Sequence, residues 1–426
     1  MTRTHPIESF HQNQKPKPMI KILHTSDLHI GKRLYQEELA DDQALFFEWL
    51  TALIRKEGIH VLLISGDVFD VANPSSESRR MYYGLLRDLM QLSCRVIITG
   101  GNHDSPAVLE APRELLKHLR IHVVGGYQQD AGRLLIPLGA EGEAPEAVVA
   151  ALPFLRDGDL RRYTANETYE DRTEAVREGI AGIYAEAAAQ CRKHYPGLPA
   201  LAMGHLYLQG GSLSDSEREI QIGNLAGLET SALPDYFSYY ALGHLHKPQE
   251  PLEGRMVYSG SPVKLSFSES KNNNRVMLIT VDGKKLSAES IPLPETRRLL
   301  RFRGSVEELK ARLDSHTDGH LDLKDFIELE AVEETNDPSY SVMLEEMVEQ
   351  FKRPGAKILY YRITAKNKVS GTASLYGEAG SITELKPLDV FDKRMESENI
   401  EESTRLLLRE AFLELLEEVE QQTMEE

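Results

Sequence analysis

Five short segments carry the residue types of a two-metal hydrolytic centre. They are Asp27-Leu28-His29, Gly66-Asp67-Val68-Phe69-Asp70, Gly101-Asn102-His103-Asp104, Gly204-His205 and Gly243-His244-Leu245-His246. Carboxylate, imidazole and one amide oxygen suit Mn²⁺, Fe²⁺ or Zn²⁺; they suit neither Ca²⁺ nor a thiolate zinc site. Asp27 and His29 lie two apart and can face one ion. Asp67 is the natural bridge, because a carboxylate can neutralise two cations about 3.5–4 Å apart. Asn102, His205 and His244 would complete the second ion, and His246 would return to the first. Water between two such ions acts as hydroxide near neutral pH and can attack a phosphate in line. His103, beside a ligand, can donate a proton to the leaving oxygen. Asp70, three residues past the bridge, can orient His103 or a water.

Taken alone, each segment has an ordinary explanation, since Gly-Asp after a strand is usually a turn. Their order and their apolar flanks carry the reading. Ile20–Thr25, 60–65, 95–99, 200–203 and 239–242 read as short buried strands, and each ends at one of the five segments. Residues 42–58 and 77–92 have helical spacing. Strand alternating with helix is the pattern of a layered α/β domain. In such sheets ligands gather beyond the carboxyl ends of the strands. Trp49 and seven further histidines (His5, His11, His118, His122, His194, His316 and His320) lack this context and read as core or surface. Asp104 reads as a residue that holds its loop.

The chain has 426 residues, 41% hydrophobic and 27% charged, enough for two or more domains. No apolar run approaches the roughly 20 residues that span a bilayer. Residues 1–18 are polar and read as a disordered tail without a secretory core. Cys94 and Cys191 are the only cysteines, which excludes a disulfide framework and fits a reducing cytoplasm. The net charge of −18 argues against non-specific coating of nucleic acid. From Phe391 to Glu426 there are 12 acidic and 4 basic residues, a net of −8, so much of the excess sits there.

The expected organisation is a catalytic domain over 19–270 and a smaller α+β unit over 271–366. A Gly/Ser/Thr-rich linker over 367–384 and a helical segment over 385–426 would follow. The strands expected in the smaller unit are 299–303, 326–330 and 357–363, with helices at 305–315 and 340–351. In the last segment Leu408, Phe412, Leu415 and Val419 recur at helical steps.

The five segments resemble the calcineurin-like metallophosphoesterase superfamily, whose pattern is D-x-H, G-D, G-N-H-D/E, G-H and G-H-x-H; every position is filled. The flanks His24-Thr25-Ser26-Asp27-Leu28-His29-Ile30-Gly31 and Tyr258-Ser259-Gly260-Ser261-Pro262 resemble its DNA-end-processing nuclease branch. The resemblance implies a metallophosphoesterase β-sandwich flanked by helices, with residues 271–366 as a capping domain. It implies two divalent metal ions, Mn²⁺ foremost, and action on DNA ends and hairpins. The partner would be an SbcC-type coiled-coil ATPase, docked through the C-terminal helices. A homodimer within a heterotetramer is also implied. Met81, Tyr82, Leu85, Leu86 and Leu89 are candidates for the dimer face, and core packing explains them equally. Competing readings are a small-molecule phosphoesterase, which would not need the second unit or tail, and a scaffold that has lost catalysis, which would not keep every ligand.

Overall fold

In the computed structural model the first strand, β1 (Ile20–Thr25), begins an alternation of apolar strands and amphipathic helices. The structure describes residues 19–139, 142–160, 169–217, 227–319, 321–335, 337–365 and Phe412. The short hairpin β2 (Arg33–Leu34) and β3 (Glu37–Glu38) follows, then α1 (Ala40–Glu57), β4 (Val61–Ser65), α2 (Ser76–Met90) and β5 (Arg95–Thr99). Two short helices, α3 (Pro106–Glu110) and α4 (Arg113–Lys117), precede β6 (Ile121–Val124), β7 (Leu135–Leu138) and β8 (Ala147–Ala151). Next come α5 (Asp157–Leu160), α6 (Tyr169–His194), β9 (Ala200–His205), β10 (Tyr239–Gly243), β11 (Gln249–Leu252) and β12 (Met256–Tyr258). Strands β13 (Arg275–Asp282) and β14 (Lys285–Pro292) form a hairpin. The remaining elements are β15 (Leu299–Gly304), α7 (Val306–Asp314), β16 (Asp325–Glu333), α8 (Pro338–Gln350) and β17 (Ala356–Ala365).

Two six-stranded sheets dominate, ordered β14-β13-β1-β4-β5-β6 and β11-β12-β10-β9-β8-β7. Alternation along the strands explains how they stack. In β4, Val61 and Leu63 join a core with Ile22, Ile97, Leu201, Met203, Tyr239 and Ala241, drawn from both sheets. Leu62 and Ile64 point the other way, into a core with Phe46, Leu50, Ile54, Tyr82 and Leu86 of α1 and α2. On the outer side of the second sheet, Ala202, Tyr240 and Leu242 pack against Ile180, Tyr184 and Ala187 of α6. Both faces of each sheet are covered, which is why the strands read as continuous apolar runs.

Tyr82, Leu85, Leu86 and Leu89 are each at most 3% exposed, so core packing accounts for these four candidates for a dimer face. The expected boundary after residue 270 is corrected. Strand β13 pairs antiparallel with β1, from Ile20↔Val281 to His24↔Met277, and so completes the catalytic sheet rather than opening a second domain. By compactness the described residues fall into two units, one drawn from 19–302, 312–329 and 348–361 and the other from 303–311, 330–347 and 362–365. Strands β15, β16 and β17 form a three-stranded sheet. The segments expected as an N-terminal tail, a linker and a C-terminal helix lie outside the described residues, apart from Phe412.

Candidate metal centre

Parallel pairing delivers the five segments to one edge. Strands β1, β4 and β5 are parallel neighbours, as are β9, β10 and β12 in the facing sheet. The loops after β1 and β4 prolong that ladder, with Asp27 N–H donating to the Gly66 carbonyl at 3.1 Å and His29 N–H to that of Asp67 at 3.0 Å. From α1, Gln43 donates to the carbonyls of Leu28 (3.1 Å) and His29 (2.6 Å), tying the first loop down. Asp104 staples the second and third segments. Its carboxylate accepts from the N–H groups of Val68 (3.0 Å), Phe69 (2.9 Å) and Gly101 (2.9 Å).

The turns are tight. Asp27, His29, Asp67 and His244 all have positive φ, at 54°, 44°, 48° and 103°. Such conformations in non-glycine residues cost energy, and they concentrate where function requires them. Gly66 (φ +81°) and Gly243 show why the preceding residues are small. A Cβ on the first would run into the His205 ring, and one on the second into the Ser65 carbonyl.

Asp67 sits in the middle. Its Oδ1 accepts the His103 N–H at 2.9 Å, while Oδ2 lies 3.6 Å from His29 Nε2 and 3.3 Å from His205 Nε2. Three groups of ligand atoms fall within 4.8 Å of one another: Asp27 with His29 and His246, His29 with Asp67 and His103, and Asp27 with Asp67 and His205. Asn102 Oδ1 lies 2.9 Å from His205 Nε2. Asp27 Oδ1 accepts the His244 N–H at 2.8 Å, and its Oδ2 takes a 2.5 Å hydrogen bond from Ser26, whose hydroxyl also meets Ser259 at 2.9 Å.

The donor set fits a pair of divalent cations. His29 Nε2 and His246 Nε2 face each other at 3.1 Å. Each ring turns its Nδ1 to a carboxylate, Asp70 at 3.2 Å and Glu269 at 3.1 Å. Two Nδ1–H tautomers therefore aim two lone pairs at one point. Nitrogens that share an ion at about 2.1 Å lie roughly 3–3.4 Å apart. His205 repeats the pattern: Nδ1 meets the Ser65 carbonyl at 3.1 Å, and Nε2 faces only the oxygens of Asn102 and Asp67. His244 Nε2 is buried without a hydrogen-bond partner. A buried polar atom of this kind calls for a partner such as an ion.

The electrostatics agree. Burial opposes ionisation of Asp67, but His205, His29 and His103 outweigh it and hold the carboxyl well below the usual range. Burial pulls His205 down, yet Asp67 raises it to about 9. Burial lowers His29 to about 4 and lifts Asp27 to about 6. Packed this densely, the acids and imidazoles compete for protons that bound cations would displace.

His103 was expected to act on the leaving oxygen, and Asp70 to orient His103 or a water. His103 is buried, with Nδ1 2.7 Å from the Asp70 main-chain carbonyl, so its Nε2 faces the Asp67 side of the centre. The Asp70 side chain meets His29 and, at 3.2 Å, Lys32. Asp70 thus holds His103 through its backbone and His29 through its carboxylate. Sequence reasoning missed Glu269, Ser26, Ser259 and Lys32. Ser26 and Ser259 lay in quoted motifs without a role, and nothing in spacing marks Glu269 or Lys32.

Comparison with known proteins places this arrangement. Residues 20–248 match the calcineurin-like phosphoesterase family. The chain belongs to this family. It is similar to the SbcCD nuclease subunit of Rhodobacter capsulatus, with 36% identity over 309 residues, covering 69% of this chain and 75% of the relative. The corresponding protein of Escherichia coli (strain K12) is 29% identical over 400 residues, 92% of this chain and 97% of the relative. That of Bacillus subtilis (strain 168) is 28% identical over 311 residues, 70% and 76%. The chain is a hydrolase and groups with these SbcCD nuclease subunits. Among the described residues no helix is long and apolar enough to cross a membrane.

Proposed function

We propose that this chain is the nuclease subunit of an SbcCD-type complex, a Mn²⁺-dependent phosphodiesterase that acts on DNA ends and hairpins in repair and recombination. The observation that carries the reading is the extent of the likeness. A 400-residue match to the Escherichia coli SbcCD protein runs far beyond the phosphoesterase core and covers 97% of that relative. A stand-alone phosphatase acting on small substrates would need only the core. By the same reading it works in the cytoplasm with an SbcC-type ATPase, docked through residues 385–426, as a homodimer within a heterotetramer.

Asp27, His29, Asp67 and His246 would hold one cation, and Asp67, Asn102, His205 and His244 the other. When bound, the pair supplies Lewis acidity and a nucleophilic hydroxide near neutral pH. The chain's own residues do the rest. Asp70 and Glu269 fix the His29 and His246 rings, and the Ser65 carbonyl fixes His205. With Nδ1–H committed to the Asp70 carbonyl, His103 offers Nε2 to the leaving oxygen, and as imidazolium can donate a proton there. Asp104 keeps the bridging carboxylate and the amide ligand in register.

The test is hydrolysis of linear duplex DNA by the purified chain in Mn²⁺, with and without an SbcC-type ATPase and ATP. A bis-aryl phosphodiester serves as control. Expected is DNA cutting that rises sharply with the partner. Cleavage of the small diester alone under every condition would leave the catalytic core standing and overturn the substrate.

A further inference from the structure

Glu269 lies in a short 3-10 turn, Phe267–Glu269, far along the chain from the five motifs, and is 1% exposed. Its Oε2 accepts the Leu265 N–H at 2.8 Å. Its Oε1 faces His246 Nδ1 at 3.1 Å and also accepts from the hydroxyls of Ser214 (2.9 Å) and Ser216. Ser216 Oγ is itself 2.7 Å from His246 Nδ1. Glu217 Oε1 accepts the His246 N–H at 2.8 Å. One carboxylate oxygen therefore joins a candidate metal ligand to a loop that supplies no ligand.

That loop is tied at further points. It leaves the sheet after β9, and its base is closed by a bridge between Leu208 and Leu228. Ser212 exchanges hydrogen bonds with Gln249, through N–H at 2.8 Å and carbonyl at 3.0 Å. Asp215 N–H donates to Ser268 Oγ at 3.1 Å, beside Glu269. With an ion at the first position, the Nδ1–H of His246 points into the pair formed by Glu269 Oε1 (3.1 Å) and Ser216 Oγ (2.7 Å), and the Ser214 and Ser216 hydroxyls both lie on that carboxylate oxygen. Withdrawing Glu269 removes the one charged acceptor that the ring and the Ser214 and Ser216 hydroxyls share.

We propose that Glu269 is the positioning residue for His246, and that through it the 212–217 loop and the first metal position are coupled. The inference rests on the two-cation reading of the centre but not on DNA as the substrate. A carboxylate behind a metal-bound histidine fixes its tautomer and raises its basicity, and losing it commonly costs 10–100-fold in metal affinity. Coupling is reciprocal, so metal should order the loop as much as the loop favours metal.

The experiment uses the full chain and Mn²⁺ alone, with no substrate. Bound Mn²⁺ is counted by calorimetry and electron paramagnetic resonance, and amide exchange is followed over residues 212–217. The wild type should take two Mn²⁺, with exchange in the loop slowed on binding. In Glu269→Ala one site should weaken 10–100-fold while the other holds, and Mn²⁺ should no longer slow loop exchange. Glu269→Gln, which keeps an acceptor for Nδ1–H, should recover part of both effects. Two Mn²⁺ bound by Glu269→Ala at wild-type affinity would overturn the proposal. So would an equal loss at both sites accompanied by lower thermal stability, which would make Glu269 merely structural. A wild type that binds no Mn²⁺ overturns the metal-centre reading and this inference together. Mn²⁺ binding without DNA cleavage overturns only the substrate.

Discussion

Removing the Asp104 carboxylate should destabilise the catalytic sandwich and loosen its metal centre. Asp104 is 1% exposed and accepts three main-chain N–H groups at 2.9–3.0 Å. Hydrogen bonds to a charged acceptor contribute about 1.5–3 kcal/mol each, and a buried N–H left unpaired costs about 1–3 kcal/mol. Three such losses amount to roughly 5–6 kcal/mol. Burial and the nearby Asp67 push the other way, raising the Asp104 carboxyl from 3.8 to about 6. The three N–H groups lower the same carboxyl, so that value already contains them, and the stability Asp104 contributes falls as pH climbs from about 4 to about 6. Asp104→Ala strands three buried N–H groups and should still cost about 3 kcal/mol, a large share of the 5–15 kcal/mol typical of a domain. Asp104→Asn can keep the bonds that Oδ2 makes to Val68 and Gly101 and sheds the charge, so it should stay within about 1–2 kcal/mol of wild type. Urea unfolding followed by the single tryptophan, Trp49, which packs on the catalytic core, reads the difference. Mn²⁺ titration of the same variants should show weaker binding for alanine than for asparagine. An alanine variant within 1 kcal/mol of wild type would refute the idea that this carboxylate holds the two loops together.

The other predictions concern chemistry, packing and assembly. His103→Ala should retain both Mn²⁺ ions and cut turnover of a bis-aryl phosphodiester by about 10²–10⁴-fold; an unchanged rate removes His103 from the reaction. Asp42 and Arg297 form a buried bidentate pair at 2.9 Å, with the guanidinium 3.7 Å from the Phe326 ring centre. Asp42→Ala should cost about 3–5 kcal/mol by stranding that cation, whereas Asp42→Leu with Arg297→Met should come close to neutral in urea unfolding. Deleting Phe391–Glu426 should abolish capture by an SbcC-type ATPase in a pull-down while hydrolysis of the small diester persists; retained capture would place docking elsewhere.

How much of this could be read in advance depended on whether a segment's local pattern and its tertiary role coincide. Strands β1 and β5 match their expected bounds because each is a mainly apolar run stopped by polar or glycine residues. The long helix α6 was not read. It spans Tyr169–His194, yet half of its apolar residues are alanines, which mark a buried face weakly, and the sequence before it offers no motif. Strands β7 and β8 were also missed, since runs of four or five residues have no period of their own and Pro137 in β7 argues against any but an edge strand. They became strands by pairing with each other and with β9.

The same contrast governs the site. Its candidate ligands were legible because metal chemistry restricts residue type and each stands at or just beyond the end of a strand. The residues that aim them were not, because a hydrogen bond to a ring nitrogen can come from any acceptor the fold brings near. Asp70, the Ser65 carbonyl and Glu269 do this one task from three unrelated positions. The misplaced boundary at 270 has a related cause. Lys271-Asn272-Asn273-Asn274 is a turn by composition, but composition cannot say whether the next strand starts a new sheet or returns to an old one. Returning fixes more than topology. The Ser266–Ser270 turn, where Glu269 sits, lies between Ser259, which supports Asp27 through Ser26, and β13, which locks against β1. A domain that ended at residue 270 would leave that turn, and with it the carboxylate behind His246, one residue from a free end instead of anchored between Ser259 and β13.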